Sequence, residues 1–187
     1  GATLWIAPPG VANDPEWLAR TLTQEQITVL HSVPTMMGLV DDPLPTVRLI
    51  NLGGEACPEG LAARLARPGR KLFNTYGPTE TSVTASGADL KPGESVSIGM
   101  PLSNCGLLVV DPQRRPLPAG QTGELCIFGP GLAQGYLGNP DLTAERFVPN
   151  PLAASDAEQR MYLTGDLAKI EPGGPVYCLG RADSQVK

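Results

Sequence analysis

The sequence predicts an α/β fold in which a parallel βαβ layer is followed by a β-rich, distorted barrel. Strand-like apolar runs alternate with helical patterns as far as residue 86, an order typical of parallel sheets. From residue 87 onward the helical period disappears, and turn clusters separate short strand-like runs. The 22 glycines and 20 prolines among 187 residues are nearly twice the average usage of about 12%, which indicates an ordered, loop-rich protein. We therefore predict two parts, residues 1–86 and residues 87–187.

Capping signals and periodicity predict two helices in the first part. Asn13 and Glu16 have the spacing of a capping box, which predicts the start of the first helix. Its apolar face holds Trp17, Leu18 and Leu22. A proline in the first turn predicts the second helix at residues 58–66. Strands are expected at residues 3–6, 27–30, 47–52 and 71–74, with a short segment at 34–40. In the second part we expect strands at 106–111, 123–128 and 175–179 and one short helix at 142–146.

Charge and composition argue against several classes of protein. The formal net charge is −5 and the sequence pI is about 4.9, so the basic footprint of a nucleic-acid-binding protein is missing. No apolar run approaches the ~18 residues of a membrane span and no leader is visible, so we expect a cytoplasmic protein without membrane contact. With His31 as the single histidine and no C-x-x-C pair among four cysteines, a zinc site is not predicted. We expect free thiols in a reducing cytosol rather than two disulfides.

Residues 74–81, Asn-Thr-Tyr-Gly-Pro-Thr-Glu-Thr, are the strongest local signal for a binding site. A strand ends here in a Gly-Pro turn that presents an aromatic ring, a hydroxyl and a carboxylate in succession. The Tyr76 ring is suited to stack on a purine, Thr79 to donate to a phosphate oxygen and Glu80 to bind Mg²⁺. An ordinary turn with a packed tyrosine is the alternative.

A second signal combines residues 164–166, Thr-Gly-Asp, with residues 180–183, Gly-Arg-Ala-Asp. The Asp166 carboxylate follows a strand and suits a sugar diol, because it accepts two hydrogen bonds from adjacent hydroxyls. Arg181 is suited to support that site or to contact phosphate. A tight turn with a surface ion pair is the alternative. The glycine-rich run at 129–135 has the wrong spacing for a dinucleotide fingerprint, and we reject it as a phosphate cradle.

Six segments of the chain stand in the order and spacing of one family. They are residues 52–56, 74–80, 123–127, 131–137, 162–167 and 180–187. Through them the chain resembles the adenylation domains of nonribosomal peptide synthetases along essentially its whole length. The proline in Tyr-Gly-Pro-Thr-Glu favours amino-acid activation over acyl-CoA ligation. The resemblance implies part of the large N-terminal subdomain of an adenylate-forming enzyme, with the nucleotide and substrate pocket in residues 1–86 and a hinge at the end of residues 87–187.

The resemblance also implies a reaction. An amino acid would attack the α-phosphate of Mg-ATP, and the acyl group would pass to the phosphopantetheine thiol of a peptidyl carrier protein, with neighbouring synthetase domains as further partners. The family's phosphate loop would precede residue 1, and its small C-terminal subdomain with the catalytic lysine would follow residue 187. We therefore expect these residues alone to be inactive. An acyl- or aryl-CoA ligase and a catalytically degenerate nucleotide-binding or interaction module are the alternatives.

Individual residues take roles from the same resemblance. The implied ATP-binding residues are Gly53, Gly54, Asn74, Tyr76, Asp166 and Arg181. The implied catalytic residues are Thr79 at the α-phosphate, Glu80 as the Mg²⁺ ligand, and Lys187, which lies just past the hinge residue Asp183. Three residues depart from the family's usual pattern without removing an implied ligand: Gln134, Leu163 and Cys178.

The implied wall of the amino-acid pocket consists of His31, Ile50, Leu52, Thr75, Val83 and Thr84. These six residues include no carboxylate, so a lysine- or ornithine-like side chain would be buried without a partner. They include no Lys or Arg either, so an acidic side chain would depend on His31. A buried core histidine is the alternative reading of His31. We therefore predict a neutral, small to medium-sized substrate side chain, while the amino acid itself and the peptide product are not identified.

Overall fold

The computed structural model describes residues 1–8, 10, 14–41 and 43–182 of the protein. These residues form two compact units. Unit 1 consists of residues 1–74 and 89–96, and unit 2 begins with residues 75–88 and continues from residue 97. The division that the sequence predicts after residue 86 stays a prediction.

Unit 1 contains a parallel sheet with helices between its strands. In chain order its elements are α1 (Pro15–Gln24), β1 (Val29–Ser32), α2 (Pro34–Leu39), β2 (Leu49–Leu52), α3 (Glu59–Leu65) and β3 (Lys71–Tyr76), whose last two residues belong to unit 2. Strand β1 pairs with β2, and β2 with β3, both in parallel. The predicted parallel layer is therefore confirmed. Its buried side chains include Leu18, Leu22, Met37, Ile50, Leu52, Leu61, Leu65 and Leu72.

Two predictions for the start of unit 1 are wrong. Residues 3–6 do not form a strand, and the side chains of Leu4 and Ile6 are 84% and 79% exposed. A strand needs a neighbour to pair its backbone, and no strand in the described part of the chain pairs with this segment. Helix α1 is capped by Asp14, whose carboxylate accepts from the Trp17 amide at 2.9 Å. The predicted cap, Asn13, lies outside the described residues.

Two arginines complete backbone hydrogen bonds in unit 1. The Arg64 guanidinium donates to the carbonyl oxygens of Met37 and Val40, each at 2.6 Å, where helix α2 ends. The last carbonyls of a helix have no partner within it, and arginine side chains are suited to bind them. The Arg70 guanidinium donates in the same way to the carbonyl oxygens of Leu44 at 2.7 Å and Val47 at 3.0 Å.

Unit 2 contains two antiparallel arrangements. Its elements are β4 (Ser86–Leu90, which ends in unit 1), β5 (Met100–Pro101), β6 (Gly106–Val110), β7 (Thr122–Phe128), α4 (Pro140–Arg146), β8 (Phe147–Pro149), β9 (Arg160–Ile170) and β10 (Val176–Arg181). Strand β4 pairs with β5. The larger sheet has the order β10-β9-β7-β6, with β8 paired to β9. This sheet forms the β-rich part that the sequence predicts.

The middle of the larger sheet of unit 2 is buried on both faces. Adjacent residues of β7, Leu125 and Cys126, are both fully buried and belong to different apolar clusters, because successive side chains of a strand point to opposite faces. Burial raises the pKa of the Cys126 thiol to about 12. All four cysteines are free, as predicted. Within the described ranges, no helix is long and apolar enough to cross a membrane.

Candidate functional site

The turn that follows β3 is closed by a glycine that no other residue replaces easily. A Cβ atom at Gly77 would lie 2.7 Å from both the Val83 oxygen and the Ala85 nitrogen, a distance that side chains do not tolerate. The Ala85 amide donates to the backbone carbonyl oxygen of Tyr76 at 2.8 Å across the same turn. Between these points, residues Thr79–Thr81 form one 3₁₀ turn. The segment thus holds Thr79 and Glu80 in a short loop with fixed ends.

The same loop carries two residues in the left-handed region of backbone conformation. Ser82 has φ of 60° and Val83 has φ of 73°. Positive φ is a genuine outlier for a β-branched residue; it costs roughly 1–3 kcal/mol and persists only where the surrounding structure enforces it. The Val83 side chain is 72% exposed, so it does not anchor the loop by packing. Strain of this kind clusters at functional sites.

A hydrogen-bonded group centred on Asp166 lies in the middle of strand β9. The Tyr76 hydroxyl donates to Asp166 Oδ2 at 2.5 Å, and Arg181 Nη1 lies 3.4 Å from Asp166 Oδ1. The Asp166 amide donates to the Thr164 hydroxyl at 3.0 Å, and that hydroxyl donates to the Leu125 oxygen. Asp166 is only 2% exposed. Burial raises the pKa of Tyr76, and the hydrogen bond to Asp166 raises it further, so Tyr76 stays a neutral donor.

A second group surrounds Glu80. The Tyr136 hydroxyl donates to Glu80 Oε1 at 2.6 Å, and the Tyr162 hydroxyl lies 3.4 Å from that of Tyr136. Burial alone would raise the pKa of Glu80, but hydrogen bonding, chiefly from Tyr136, and the Arg146 charge outweigh it. The pKa of Glu80 therefore lies below its usual value. Glu80 is half-buried and carries a negative charge at neutral pH.

Unit 2 thus brings four of the predicted residues into two hydrogen-bonded groups, Tyr76 with Asp166 and Arg181, and Glu80 with its tyrosines. Thr79 is exposed beside Glu80 with no hydrogen bond of its own side chain among the described residues. In unit 1, Asn74 is 4% exposed at the end of β3, Gly53 is half-buried, and Gly54 is exposed with φ of 81°. The predicted hinge and lysine, Asp183 and Lys187, lie outside the described residues.

The six predicted pocket residues differ widely in exposure. Ile50 and Leu52 are fully buried in unit 1, whereas His31 is exposed, so its reading as a buried core histidine is wrong. His31 Nδ1 is 3.1 Å from Asn51 Nδ2 on the neighbouring strand. In unit 2, Thr75 and Thr84 are half-buried and Val83 is exposed. Their use as one pocket stays a prediction.

Sequence reasoning missed the residues that hold the predicted ones in place. Tyr136 and Tyr162 lie within motifs that carry the family resemblance, but no local pattern predicts their contacts. Thr164, which accepts from the Asp166 amide, was noted only as part of its motif. Partners 56 and 90 residues apart along the chain, such as Tyr136 with Glu80 and Tyr76 with Asp166, leave no local pattern.

The residues around Glu80 fit a magnesium ion that a nucleotide brings with it. Among the described residues, no group of three or more His, Cys, Asp or Glu side chains could hold a metal ion. Mg²⁺ is usually bound through one or two carboxylates together with substrate phosphates and water, rather than by an all-protein cage. A single ionised, half-buried carboxylate such as Glu80 agrees with that mode.

The chain belongs to the AMP-binding enzyme family, whose pattern it matches over residues 1–137. It is 59% identical over 187 residues to delta-poly-L-ornithine synthetase of Acinetobacter baumannii (strain AB307-0294). The match covers 100% of this chain and 14% of that protein.

Two solved structures share its fold. One is a four-domain nonribosomal peptide synthetase bound to AMP and glycine, with a TM-score of 0.85, 36% identity, and coverage of 97% of this chain and 14% of that one. The other is NpsA-ThdA, an artificially fused adenylation–PCP di-domain from Klebsiella oxytoca, with a TM-score of 0.83, 29% identity, and coverage of 97% and 35%. The predicted fold class and the resemblance to adenylation domains are therefore confirmed. The chain spans 14–35% of the length of these three proteins.

Proposed function

We propose that the complete protein containing this chain activates an amino acid as an acyl-adenylate with Mg-ATP and passes it to a carrier-protein thiol in nonribosomal peptide synthesis. The observation that carries this proposal is the buried Asp166, fixed by Tyr76 and Arg181 in a chain of the AMP-binding enzyme family. A charged carboxylate with 2% exposure is costly to bury, and a ribose-binding role explains why it stands there.

The nucleotide would be held mainly through unit 2. Asp166 would accept hydrogen bonds from the ribose hydroxyls, because each oxygen of a carboxylate accepts more than one hydrogen bond, while Tyr76 and Arg181 hold its position. The Tyr76 ring would stack on adenine, with its hydroxyl fixed by Asp166. Arg181 would hold the carboxylate from its other oxygen. For Asn74, Gly53 and Gly54 of unit 1, the support for a role at the base comes from the family resemblance.

The reacting phosphate would meet Thr79 and Glu80. Thr79 is exposed beside Glu80, so its hydroxyl is available to donate to the α-phosphate. Glu80 would hold the Mg²⁺ ion, which supplies neutralisation of phosphate charge when bound. Fixed donors and charges at the phosphate accelerate the attack of the amino-acid carboxylate by stabilising charge in the transition state.

The remaining roles concern residues and partners outside the described part of the protein. We assign Asp183 to the hinge and Lys187 to the catalytic residues on the basis of the family resemblance. The partners would be a small C-terminal subdomain, a peptidyl carrier protein bearing phosphopantetheine, and neighbouring synthetase domains. The adenylation–PCP di-domain among the similar structures supports the carrier-protein partner.

Two observations favour different substrate side chains. The six pocket positions hold no carboxylate, Lys or Arg, which favours a neutral amino acid because a buried unpaired charge is costly. The name of the relative that is 59% identical contains poly-L-ornithine, which favours ornithine. An ornithine side chain would require a carboxylate from outside the six positions. We propose the neutral side chain and treat ornithine as its direct competitor.

ATP–pyrophosphate exchange by the complete protein tests both levels of this proposal. The panel comprises neutral amino acids, ornithine, Lys, Arg, Asp, Glu, and aryl and fatty acids. We expect exchange to depend on a neutral amino acid. Exchange driven best by ornithine would overturn the pocket assignment but keep amino-acid activation. Exchange driven only by aryl or fatty acids would replace it with acyl- or aryl-CoA ligation, and no exchange with any acid would indicate a degenerate module.

A further inference from the structure

We propose that Tyr136, held by the loop of residues 129–136, is a positioning residue that fixes the direction of the Glu80 carboxylate. This loop contains the glycine-rich run that the sequence excludes as a phosphate cradle. The inference rests on the proposed function, because it concerns Glu80 as a ligand of the metal that accompanies ATP. It adds a role for a segment to which that function assigns none.

The loop is attached to the backbone of the Glu80 turn at two points. The Ala133 amide donates to the backbone carbonyl oxygen of Glu80 at 2.8 Å, and the Ser82 hydroxyl donates to the carbonyl oxygen of Gly131 at 2.8 Å. A Cβ atom at Gly131 would lie 3.6 Å from the Thr81 oxygen, so the two segments are in close contact here. The backbone on both sides of Glu80 is therefore tied to the loop.

The backbone of Tyr136 is held by hydrogen bonds to the start of helix α4. Its amide donates to the Thr143 hydroxyl at 2.9 Å, and that hydroxyl donates to the Asn139 oxygen at 2.8 Å. Gly135 has φ of 153°, and a Cβ atom there would lie 2.4 Å from Thr143 Cγ2, so the backbone approach requires glycine. The backbone that carries the Tyr136 side chain is therefore held in place by these contacts.

Aromatic packing and an arginine complete the support. The Tyr136 ring meets the buried Phe147 ring edge to face, with centroids 5.7 Å apart, and Phe147 packs on Tyr162 at 5.1 Å. The Arg160 guanidinium donates to the oxygens of Ala133 and Gln134 at 3.1 and 3.0 Å and stacks over Phe147. Arg160 therefore holds the backbone of the loop at Ala133 and Gln134.

This arrangement has a direct consequence for the carboxylate. A glutamate in a loop rotates about three side-chain bonds, and ordering it on metal binding costs free energy. The hydrogen bond from the Tyr136 hydroxyl to Glu80 Oε1 restricts that rotation before a metal binds. The orientation of Glu80 Oε2 is thereby restricted as well. Residues that hydrogen-bond to a metal ligand orient it before the metal binds. Loss of such a hydrogen bond typically costs 10–100-fold in metal affinity or activity.

The test compares Tyr136→Phe with Tyr177→Phe in the complete protein. The first variant removes only the hydroxyl and keeps the ring that packs on Phe147. The control, Tyr177, is half-buried on β10 in the same unit, and its hydroxyl makes no hydrogen bond among the described residues. The probe is Mn²⁺ with a non-hydrolysable ATP analogue, and binding is measured by electron paramagnetic resonance. Melting temperatures of all variants are recorded alongside.

We expect Tyr136→Phe to weaken Mn²⁺ binding about 10-fold or more, with a melting temperature near that of the wild type and Tyr177→Phe unchanged. In exchange assays the Mg²⁺ concentration at half-maximal rate should rise while the KM for the amino acid stays constant. Wild-type Mn²⁺ affinity in Tyr136→Phe, or an equal loss in Tyr177→Phe, would overturn the inference.

Two further variants separate this inference from the proposed function. Glu80→Gln should weaken Mn²⁺ binding at least as much as Tyr136→Phe. If Glu80→Gln binds Mn²⁺ normally, the metal assignment and the inference both fail, whereas if only Tyr136→Phe binds normally, the inference alone fails. Ser82→Ala removes one link between loop and turn, and we expect about a 2- to 10-fold loss of Mn²⁺ affinity, the range for a neutral hydrogen bond. Should Tyr136→Phe melt early, wild-type affinity in Ser82→Ala would still overturn the inference.

Discussion

The two units use their charged side chains in opposite ways. In unit 1, the guanidinium groups of Arg64 and Arg70 donate to backbone carbonyl oxygens. In unit 2, the carboxylates of Glu80 and Asp166 accept hydrogen bonds from tyrosine hydroxyls. A guanidinium bound to carbonyls completes the hydrogen bonding of the fold. A carboxylate held by a hydroxyl is a group of the kind that binds ligand hydroxyls or a metal ion.

This difference separates stability from chemistry within one chain. Loss of an arginine in unit 1 should lower stability and leave nucleotide binding intact. Loss of a carboxylate in unit 2 should weaken the binding of metal or nucleotide, and removal of Asp166 should also lower stability, because the buried Tyr76 hydroxyl and the Arg181 guanidinium would lose their partner. The predictions below test this separation, each in the complete protein.

The largest effect is expected for Glu80→Ala. The maximal rate of ATP–pyrophosphate exchange should fall about 10- to 150-fold, the range for a lost interaction with a charged group, because the proposed metal ligand is removed. ATP affinity measured without a divalent cation should stay near that of the wild type. The control is Glu171→Ala, which removes a surface carboxylate paired with Lys169 in the same unit. An unchanged exchange rate in Glu80→Ala would contradict the assignment of this residue.

A smaller effect, on stability alone, is expected for Arg64→Met. The carbonyl oxygens of Met37 and Val40 would lose their donor, and an unsatisfied buried group costs about 1–3 kcal/mol. The melting temperature should fall, with ATP affinity unchanged. Arg20→Met is the control, because among the described residues Arg20 forms only an exposed pair with Glu16, which contributes at most about 1 kcal/mol. Equal melting temperatures for the two variants would contradict a structural role for Arg64.

Local patterns predicted much of unit 1 and less of unit 2. Helix α1 begins at a capping side chain, and a proline stands at the start of α2 and of α3, so much of the parallel layer is predictable from short windows. Strand β9 (Arg160–Ile170) was missed because residues 161–166 are all buried, which removes the polar alternation of a one-sided strand. The Gly-Asp pair at its centre also reads as a turn.

The sequence predicts the candidate ligands of the site but not the residues that hold them in place. Glu80 and Asp166 stand in motifs that resemble one family, so their roles could be inferred from the sequence. Their hydroxyl partners Tyr136 and Tyr76 are 56 and 90 residues away, and only the fold joins them. The glycine spacing of residues 129–135 argues against a phosphate cradle but carries no information on their contacts with the Glu80 turn, which only the fold creates.

The smallest effect concerns a carboxylate of unit 1. Hydrogen bonds from the Thr35 hydroxyl at 2.5 Å and the Thr35 amide at 2.9 Å hold the pKa of Glu55 below its usual value. Thr35→Val removes the hydroxyl bond, so the pKa of Glu55 should rise towards that value in an NMR titration. Thr46→Val, which removes a hydroxyl bonded to a backbone oxygen, should leave it unchanged.

The sign of the accompanying stability change follows from the lowered pKa. The contribution of this bond is present above the pKa of Glu55 in the unfolded chain and is lost as pH falls through the lower folded value. The small difference in melting temperature between Thr35→Val and wild type should therefore be seen at neutral pH and vanish in acid. A difference that grows in acid would contradict the account.

The affinity for ATP of Asp166→Ala, set against Arg64→Met, tests the division between the units most directly. Isothermal titration calorimetry on the complete protein supplies the Kd, with Asp111→Ala as a control because Asp111 pairs with Arg115 at the surface of unit 2. We predict a Kd raised about 10- to 150-fold in Asp166→Ala and a wild-type Kd in the other two variants. A wild-type Kd in Asp166→Ala, or an equal loss in Arg64→Met, would contradict the claim that the nucleotide is bound by the carboxylate of unit 2.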